Sequence, residues 1–390
     1  MANGNIHKTV NSTPFKSTEI GKDGSLTVRL SAPEAHEVFL TGKLFSNEAY
    51  LVDLKTYLSS LPKNGIGKPP LPPHYKMTKD NAGVWSYTIK KLTPDWYSYS
   101  FLIDGKSSVD PLNKPKYPEI SESYVMVSGS ETAFMEPSLG PKGKVSAFEY
   151  YSKLKNTTRR AFVYTPPEYN AKKEYPLLVL QHGLTGTDSD WIVQGRAKYI
   201  LDNLINSGKA VAMIAVFPDG NVDYNLVDIA NYTDDDLAIA ATPESKYPEE
   251  IAANLLPALA KTYRFSDDIN MQAQAGLSMG GQNTLSTFFF GEKRFGYYGV
   301  FSGALWPRHI DTIKDKYADY LAKSVLNEKK ALWIACGGSD PAYNFSLATL
   351  EFLKQYKIEY EYRQNNFTWG HNWHSWHNHL YEFAQKLFKL

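Results

Sequence analysis

The second half of the chain is constrained by a series of apolar runs that each end in glycine or aspartate. They are "YPLLVLQHG" (175–183), "AVAMIAVFPDG" (210–220), "NMQAQAGLSMGG" (270–281) and "KALWIACGGSD" (330–340). Helix-like stretches such as "AKYILDNLINSG" and "PEEIAANLLPALAKTY" lie between them. Strands without polar alternation, separated by helices, predict a mostly parallel sheet covered on both faces. In such sheets the chemistry gathers at the carboxyl ends of the strands. That is where these glycines and acids fall.

The first part of the chain reads differently. "GSLTVRLSAP", "HEVFLTGKLF", "GVWSYTIKKL" and "WYSYSFLIDG" alternate and are separated by turn formers, as in an all-β domain over residues 17–130. The stretch "SSLPKNGIGKPPLPPHYK" is too rich in Pro and Gly for a regular element and reads as a long inserted loop. "ETAFMEPSLGPKGKVS" (131–146) reads as the connecting loop. The expected division is therefore a β-domain at 1–135 and an α/β-domain at 136–390, which 390 residues comfortably supply.

The net charge of +1 gives no electrostatic reason to expect a nucleic-acid partner. No apolar run approaches the roughly 20 residues of a membrane span. The start, "MANGNIHKTVNSTPFKS", lacks the apolar core of a signal peptide. The single cysteine, Cys336, excludes an intramolecular disulfide. The 27 Tyr, 19 Phe and 8 Trp suit a packed core, and equally suit contact with sugar or phenolic rings.

Within "QAGLSMGGQNT", Ser278 is flanked by Gly276 and Gly280. Between a strand and a helix this spacing makes a sharp turn that presents the serine hydroxyl at the sheet edge. Alone, the pentapeptide fits an ordinary Gly/Ser loop as well. A nucleophilic serine needs a base, and the base needs an orienting acid, in the chain order Ser, Asp, His for this kind of sheet. Asp340 follows the run "ALWIACGGSD", and His371 follows the strand-like "YEYRQ" and precedes the helix-like "HNHLYEFAQKLF". Asp311, Asp315 and Asp319 lie in a polar helix-like stretch that reads as a solvated face. His374 is the alternative base, with His377 and His379 further along. His374 and His377 also share helical spacing suited to zinc, but no cysteine pair or HExxH motif accompanies them, so neither metal nor cofactor is expected. The amides of Leu184, in "HGLTG", and of Met279 are the expected oxyanion donors, with His182 a structural member of that loop.

Residues 140–390 resemble the esterase D-like branch of the α/β-hydrolases. The likeness rests on "YPLLVLQHGLTGTDSDW", "GLSMGG", "IACGGSD" and "WGHNWHSWHNHLYEFAQKLF". The last block resembles the end of feruloyl and enterochelin esterases, which usually read Gly-Gly-His, then Trp, then Trp-Arg. Here Trp369-Gly370 replaces the glycine pair and His377 stands where arginine is usual, which leaves the triad intact and questions the substrate-facing wall. The resemblance implies Ser278, Asp340 and His371 as the triad, Leu184 and Met279 as the oxyanion hole, and an acyl-enzyme mechanism. Residues 17–130 resemble the early-set immunoglobulin-like, glycogen-binding-module-like domains that precede branching enzymes, over about a hundred residues. In some relatives that module binds sugar, and in many it is a packed appendage.

The combination implies an α/β-hydrolase preceded by an immunoglobulin-like β-sandwich, most similar to a cell-wall feruloyl esterase, secreted or periplasmic. Its partner would be a feruloylated or acetylated polysaccharide or oligosaccharide, with no nucleic acid and no membrane span. Trp191, Trp306, Trp369 and Trp373 lie beside the catalytic loops, where they fit either substrate contact or ordinary packing. Acetyl xylan esterase, siderophore esterase and an inactive carbohydrate-binding protein are the alternatives. Near the site the sequence offers Arg196, Arg308 and little other positive charge, while "TDDDLAIAATPESKYPEE" is acidic, which weighs against a polyanionic substrate.

Overall fold

A computed structural model describes residues 15–42, 74–90, 92–224, 239–292, 294–307, 310–311, 313–314, 324–365 and 370–389. Trp369, Arg308, Asp315 and Asp319 lie outside the described residues, as do most of the Pro/Gly-rich stretch and the acidic residues 233–238. The chain divides into two compact units, Met1–Ala133 and Phe134–Leu390.

In the first unit the strands are β1 (Thr18–Ile20), β2 (Leu26–Ser31), β3 (Val38–Gly42), β4 (Tyr75–Lys76), β5 (Thr78–Lys79), β6 (Val84–Ile89), β7 (Asp95–Ile103), β8 (Lys106–Ser108) and β9 (Ser123–Val127). One antiparallel sheet runs β1-β2-β6-β5; the other runs β4-β3-β7-β8, with β9 also paired to β7. Alternate residues of both sheets meet in one cluster. Leu26, Val28 and Leu30 of β2 join Trp85 of β6, and from the other sheet come Val38, Leu40, Tyr97, Tyr99, Phe101, Val125 and Val127. This period of two is what the alternating sequence predicted for β2, β3, β6 and β7. The short strands β1, β4, β5, β8 and β9 were not anticipated, because two to five residues carry too little pattern.

The second unit contains a sheet of eight strands, β10 (Lys144–Ser152), β11 (Thr157–Thr165), β12 (Leu177–Gln181), β13 (Ile214–Pro218), β14 (Gln272–Leu277), β15 (Tyr297–Phe301), β16 (Ala331–Gly337) and β17 (Glu361–Asn365). Their order is β10-β11-β13-β12-β14-β15-β16-β17. The β10-β11 and β11-β13 pairings are antiparallel, and the others are parallel. β10 begins at Lys144, inside the stretch that reads as a loop. β15, "YYGVF", is buried at all five residues and was not picked out along the chain.

Burial on both faces is visible in the alternation of partners. Leu177 and Val179 of β12, Tyr298 and Val300 of β15, and Leu332 and Ile334 of β16 join a core with Leu285, Phe288, Phe289, Phe352 and Leu353. Those last residues come from α2 (Met279–Phe290) and α3 (Tyr343–Gln355), which follow α1 (Ala197–Asn206) in the chain. Phe301 and Trp333 face the other way and pack against Phe383 of α4 (Trp373–Ala384), with ring centroids 5.7 and 5.6 Å apart. Phe134 and Met135 belong to this unit, two residues before the expected boundary. The Asn203 amide donates to the Phe134 carbonyl at 3.0 Å, and Arg196 donates to the Met135 carbonyl at 3.1 and 3.2 Å. No helix among the described residues is long and apolar enough to cross a membrane.

A buried charge joins the antiparallel edge to the helical stretch at 247–259. Glu250 accepts from Tyr150 Oη at 2.9 Å, Ser152 Oγ at 2.7 Å and Asn254 Nδ2 at 3.0 Å, and pairs with Arg159 at 3.3 Å. Truncating it strands the buried Arg159 guanidinium with only Asp219 near it. Glu250→Ala is expected to lower the unfolding free energy of this unit by about 3 kcal/mol, read from the urea midpoint. An unchanged midpoint would show that the network contributes no net stability.

Candidate active site

Ser278 stands between β14 and α2 with φ 53° and ψ −118°, a left-handed conformation that L residues rarely adopt. Its amide donates to the Phe301 carbonyl of β15 at 2.8 Å, which fixes the turn to the neighbouring strand. The flanking glycines are required by contact. A Cβ at Gly276 would lie 2.5 Å from the Gly280 carbonyl, and one at Gly280 would lie 2.5 Å from the His182 carbonyl. The loop after β12 lies against the same turn, because a Cβ at Gly183 would come within 3.4 Å of Ser278 Cβ.

Asp340 follows β16 in a turn closed by its own amide on the Gly337 carbonyl at 3.1 Å. Its side chain is buried, and Oδ1 accepts from the Ala342 amide at 2.8 Å and from His371 Nδ1 at 2.9 Å. A carboxylate accepts, so Nδ1 carries the proton and Nε2 presents its lone pair. Nε2 lies 2.9 Å from Ser278 Oγ. Ser278, Asp340 and His371 are thus brought together from three separate strand ends. Burial alone would push the Asp340 carboxyl up; the charge and hydrogen bond of His371 reverse this and hold it below the ordinary range. For His371, burial works downward, and the Asp340 charge outweighs it and raises the imidazole above its ordinary 6.5.

The amide of Met279 is the first of α2, one of the N–H groups that a helix leaves without an internal partner and toward which its dipole draws negative charge. Leu184 lies in the adjoining loop. The two side chains share one apolar cluster with Tyr224, Ala240 and Ile239. The Met279 and Leu184 side chains thus pack into the same cluster.

The tryptophans expected beside the site divide. Trp191 is only 1% exposed and its indole N–H donates to the Gln181 carbonyl at 2.8 Å, so it is a packing residue and not a substrate wall. The reason is tertiary: Trp191 and Trp373 close around Gly195, where a Cβ would meet both rings. Trp373 stands edge-on to Trp191 and Trp376, with centroids 5.2 Å from each. Trp306 lies flat on Phe345, 5.6 Å away. His377 is also buried, its Nε2 at 2.7 Å from the Gln194 carbonyl, so the departure from arginine lies under the loop and not on a substrate-facing wall. Asp311 is exposed beside Lys314. Among the described residues no group of three or more His, Cys, Asp or Glu stands close enough to hold a metal ion.

Two further residues brace the site. Ser302, at the end of β15, repeats the φ of 53° and accepts the Trp376 indole N–H at 3.0 Å. Trp376 in turn stands perpendicular to the His371 ring at 5.0 Å. The sequence holds one faint signal for them, the strand-end "VFSG" that parallels "AGLSMG" on the next strand.

A mostly parallel sheet with serine, histidine and aspartate in contact at its carboxyl edge is the arrangement of the α/β-hydrolases. The model of a family described as putative esterases matches residues 152–387, more than half of the chain, and the chain belongs to that esterase family. It is 27% identical over 346 residues to an endo-1,4-beta-xylanase/feruloyl esterase of Xylanibacter ruminicola. That alignment takes in 86% of this chain and 44% of the relative, so the chain spans less than half of the relative's length. A ferulic acid esterase from Anaeromyces mucronatus, solved with ferulic acid, matches at TM-score 0.52 and 22% identity, over 65% of this chain and 93% of that one. The enterochelin esterase of Shigella flexneri matches at TM-score 0.62 and 16% identity, over 95% of both chains. Likenesses at these identities concern the fold.

The raised imidazole gives a measurable consequence. By NMR, His371 is expected to titrate with a midpoint above 6.5, protonated below that midpoint and neutral above it. Asp340→Asn should shift the titration downward by removing the charge that raises it. A wild-type His371 titrating at or below 6.5 would contradict the pairing.

Proposed function

We propose that the chain is a serine carboxylic-ester hydrolase that releases hydroxycinnamic acids, feruloyl groups above all, from plant cell-wall arabinoxylan. The observation that carries this reading is the unbroken chain of contacts from Asp340 through His371 to Ser278, at 2.9 Å each, on a strained turn. Ser278 Oγ adds to the ester carbonyl while its proton passes to His371 Nε2, and Asp340 holds the imidazolium that results. The oxyanion faces the amides of Leu184 and Met279. His371 then protonates the departing sugar oxygen as its bond to the acyl carbon breaks, releasing the sugar hydroxyl. Water, deprotonated by the same nitrogen, splits the acyl-enzyme and frees the acid.

Three features support an uncharged phenolic acyl group. The cluster of Leu184, Met279, Tyr224, Ala240 and Ile239 places apolar side chains beside the oxyanion donors. Trp306 and Trp373 are each 8% exposed, with one face of Trp306 on Phe345, and we retain their remaining open edges as substrate contacts. Arg196 is buried and turned onto the Met135 carbonyl, which takes this arginine away from an anionic ligand such as a siderophore complex. We assign the first unit to the immunoglobulin-like, glycogen-binding-module-like class on its two antiparallel sheets around one core. A cell-wall polysaccharide as substrate places the enzyme outside the cytoplasm.

Ser278→Ala is expected to lower kcat on p-nitrophenyl acetate by at least about 10⁴-fold, as loss of a triad nucleophile does elsewhere. Equal rates in both proteins would remove Ser278 from the mechanism. A panel of methyl ferulate, acetylated xylan and a catecholate siderophore ranks the acyl groups. Methyl ferulate is expected to be cleaved with the highest kcat/KM; release of acetate with methyl ferulate untouched would make the chain an acetyl esterase. The kcat/KM profile should fall on the acid side as His371 is protonated, with a midpoint above 6.5.

A further inference from the structure

His182 begins the loop that carries Leu184, yet it is 1% exposed and stands upstream of the nucleophile, so the proposed reaction gives it no proton to move. Its ring is nonetheless held at both nitrogens. Nδ1 lies 2.7 Å from the carbonyl of Gly183, the next residue. The Gly220 amide approaches Nε2 at 2.9 Å, and Asp219 Oδ1 lies 3.4 Å from the same nitrogen. A carbonyl oxygen only accepts, so Nδ1 carries a proton whether the ring is neutral or charged. The Gly183 carbonyl also accepts the Gly186 amide at 3.1 Å. Two donors therefore fix the direction of this one oxygen.

That oxygen belongs to the peptide unit whose N–H is that of Leu184. In a planar trans peptide the C=O and N–H point in opposite directions, so fixing one fixes the other. If the peptide turned over, a carbonyl oxygen would stand where the oxyanion needs a donor. Nothing in the loop's own backbone forbids such a turn: Gly183 and Gly186 are permissive, and Thr185 already has φ 63°.

We infer that His182 is a positioning residue that uses its Nδ1 proton to hold the Gly183 carbonyl, and so keeps the Leu184 amide aimed as an oxyanion donor before substrate arrives. The inference rests on the reading of Ser278 as nucleophile. It assigns His182 an effect on the transition state and none on ground-state binding.

The test compares His182→Leu, His182→Asn and His182→Gln in the full chain with p-nitrophenyl acetate as substrate and phenylboronic acid as inhibitor. The boronate adds to the serine and carries an oxygen into the same site. His182→Leu is expected to lower kcat roughly 10- to 100-fold with KM within about twofold, and to raise the phenylboronic acid Ki in the same proportion. His182→Asn, whose amide nitrogen falls near the position of Nδ1, should recover most of that loss. His182→Gln, whose nitrogen falls nearer Nε2, should not. Thermal midpoints of all three show whether they fold. A folded His182→Leu with wild-type kcat overturns the inference, as does a His182→Asn that is folded and as slow as His182→Leu. Ser278→Ala run alongside separates the two levels. If it is inactive, a failure of the His182 series counts against His182 alone; if it keeps the wild-type rate, the nucleophile reading falls and this inference with it.

Discussion

Three backbone segments meet at the turn that carries Ser278, and they meet closely enough to exclude side chains. The Gly276–Gly280 approach closes the turn on itself, and the Gly280–His182 approach seats it against the loop after β12. The Ser278–Phe301 hydrogen bond ties it to β15. A serine held at φ 53° costs conformational energy, of order 1–3 kcal/mol for such positions. The surrounding sheet can sustain it because β12, β14 and β15 are adjacent, parallel and buried on both faces. The geometry of the site is thus a consequence of strand order. Placing the loop, the serine and the brace Ser302 on successive neighbouring strands brings a donor, a nucleophile and a support to one edge without any long-range adjustment.

The same edge sets the charge balance. Asp340 is buried, which by itself would favour its neutral form, and the charge and hydrogen bond of His371, with the Ala342 amide on the same oxygen, hold it as a carboxylate. In return its charge raises His371. The Asp340 hydrogen bond keeps the imidazole proton on Nδ1 and turns Nε2 toward Ser278, while the Asp340 charge favours the imidazolium that a proton transfer from the serine would form. The Trp376–Ser302 bond and the perpendicular packing of Trp376 on His371 restrict the ring without competing for Nε2. Orientation is supplied by apolar and neutral contacts, and charge by a single carboxylate.

Much of this was readable along the chain. Ser278, Asp340 and His371 each end a local pattern of apolar run, glycine and turn, and a local pattern survives in the sequence whatever packs around it. The central strands β12, β13, β14 and β16 were legible for the same reason. β15 was not, because its neighbours in sequence, Phe295 and Gly296, are as apolar as the strand itself and give no edge to the pattern. The tryptophans show the limit most clearly. Trp191 and Trp373 occupy the expected loops, but whether a ring faces substrate or protein depends on what stands behind it. The residue that leaves room beside Trp191 is Gly195, a glycine with no motif to announce it. His377 failed in the same way: its place in the family pattern suggested the substrate wall, while its ring is spent on the Gln194 carbonyl. Positions were inferable, and facings were not.

Substrate choice is governed by that second kind of information. In the proposed reaction the triad and its amides would accept any ester carbonyl that reaches them, so discrimination would fall to the groups that meet the acyl and alcohol portions. On the acyl side the anchored elements are Met279 and Leu184, whose side chains are locked together with Tyr224, Ala240 and Ile239. This couples selectivity to catalysis. A change that loosens the cluster to admit a different acyl group also loosens the two residues proposed to receive the oxyanion, so under that proposal altered specificity and lowered kcat should come together. If the proposed oxyanion donors and the acyl wall share one apolar cluster, the enzyme has limited freedom to broaden its substrate range on that side. The alcohol side, away from this cluster, is where such a scaffold can vary at least cost to the chemistry.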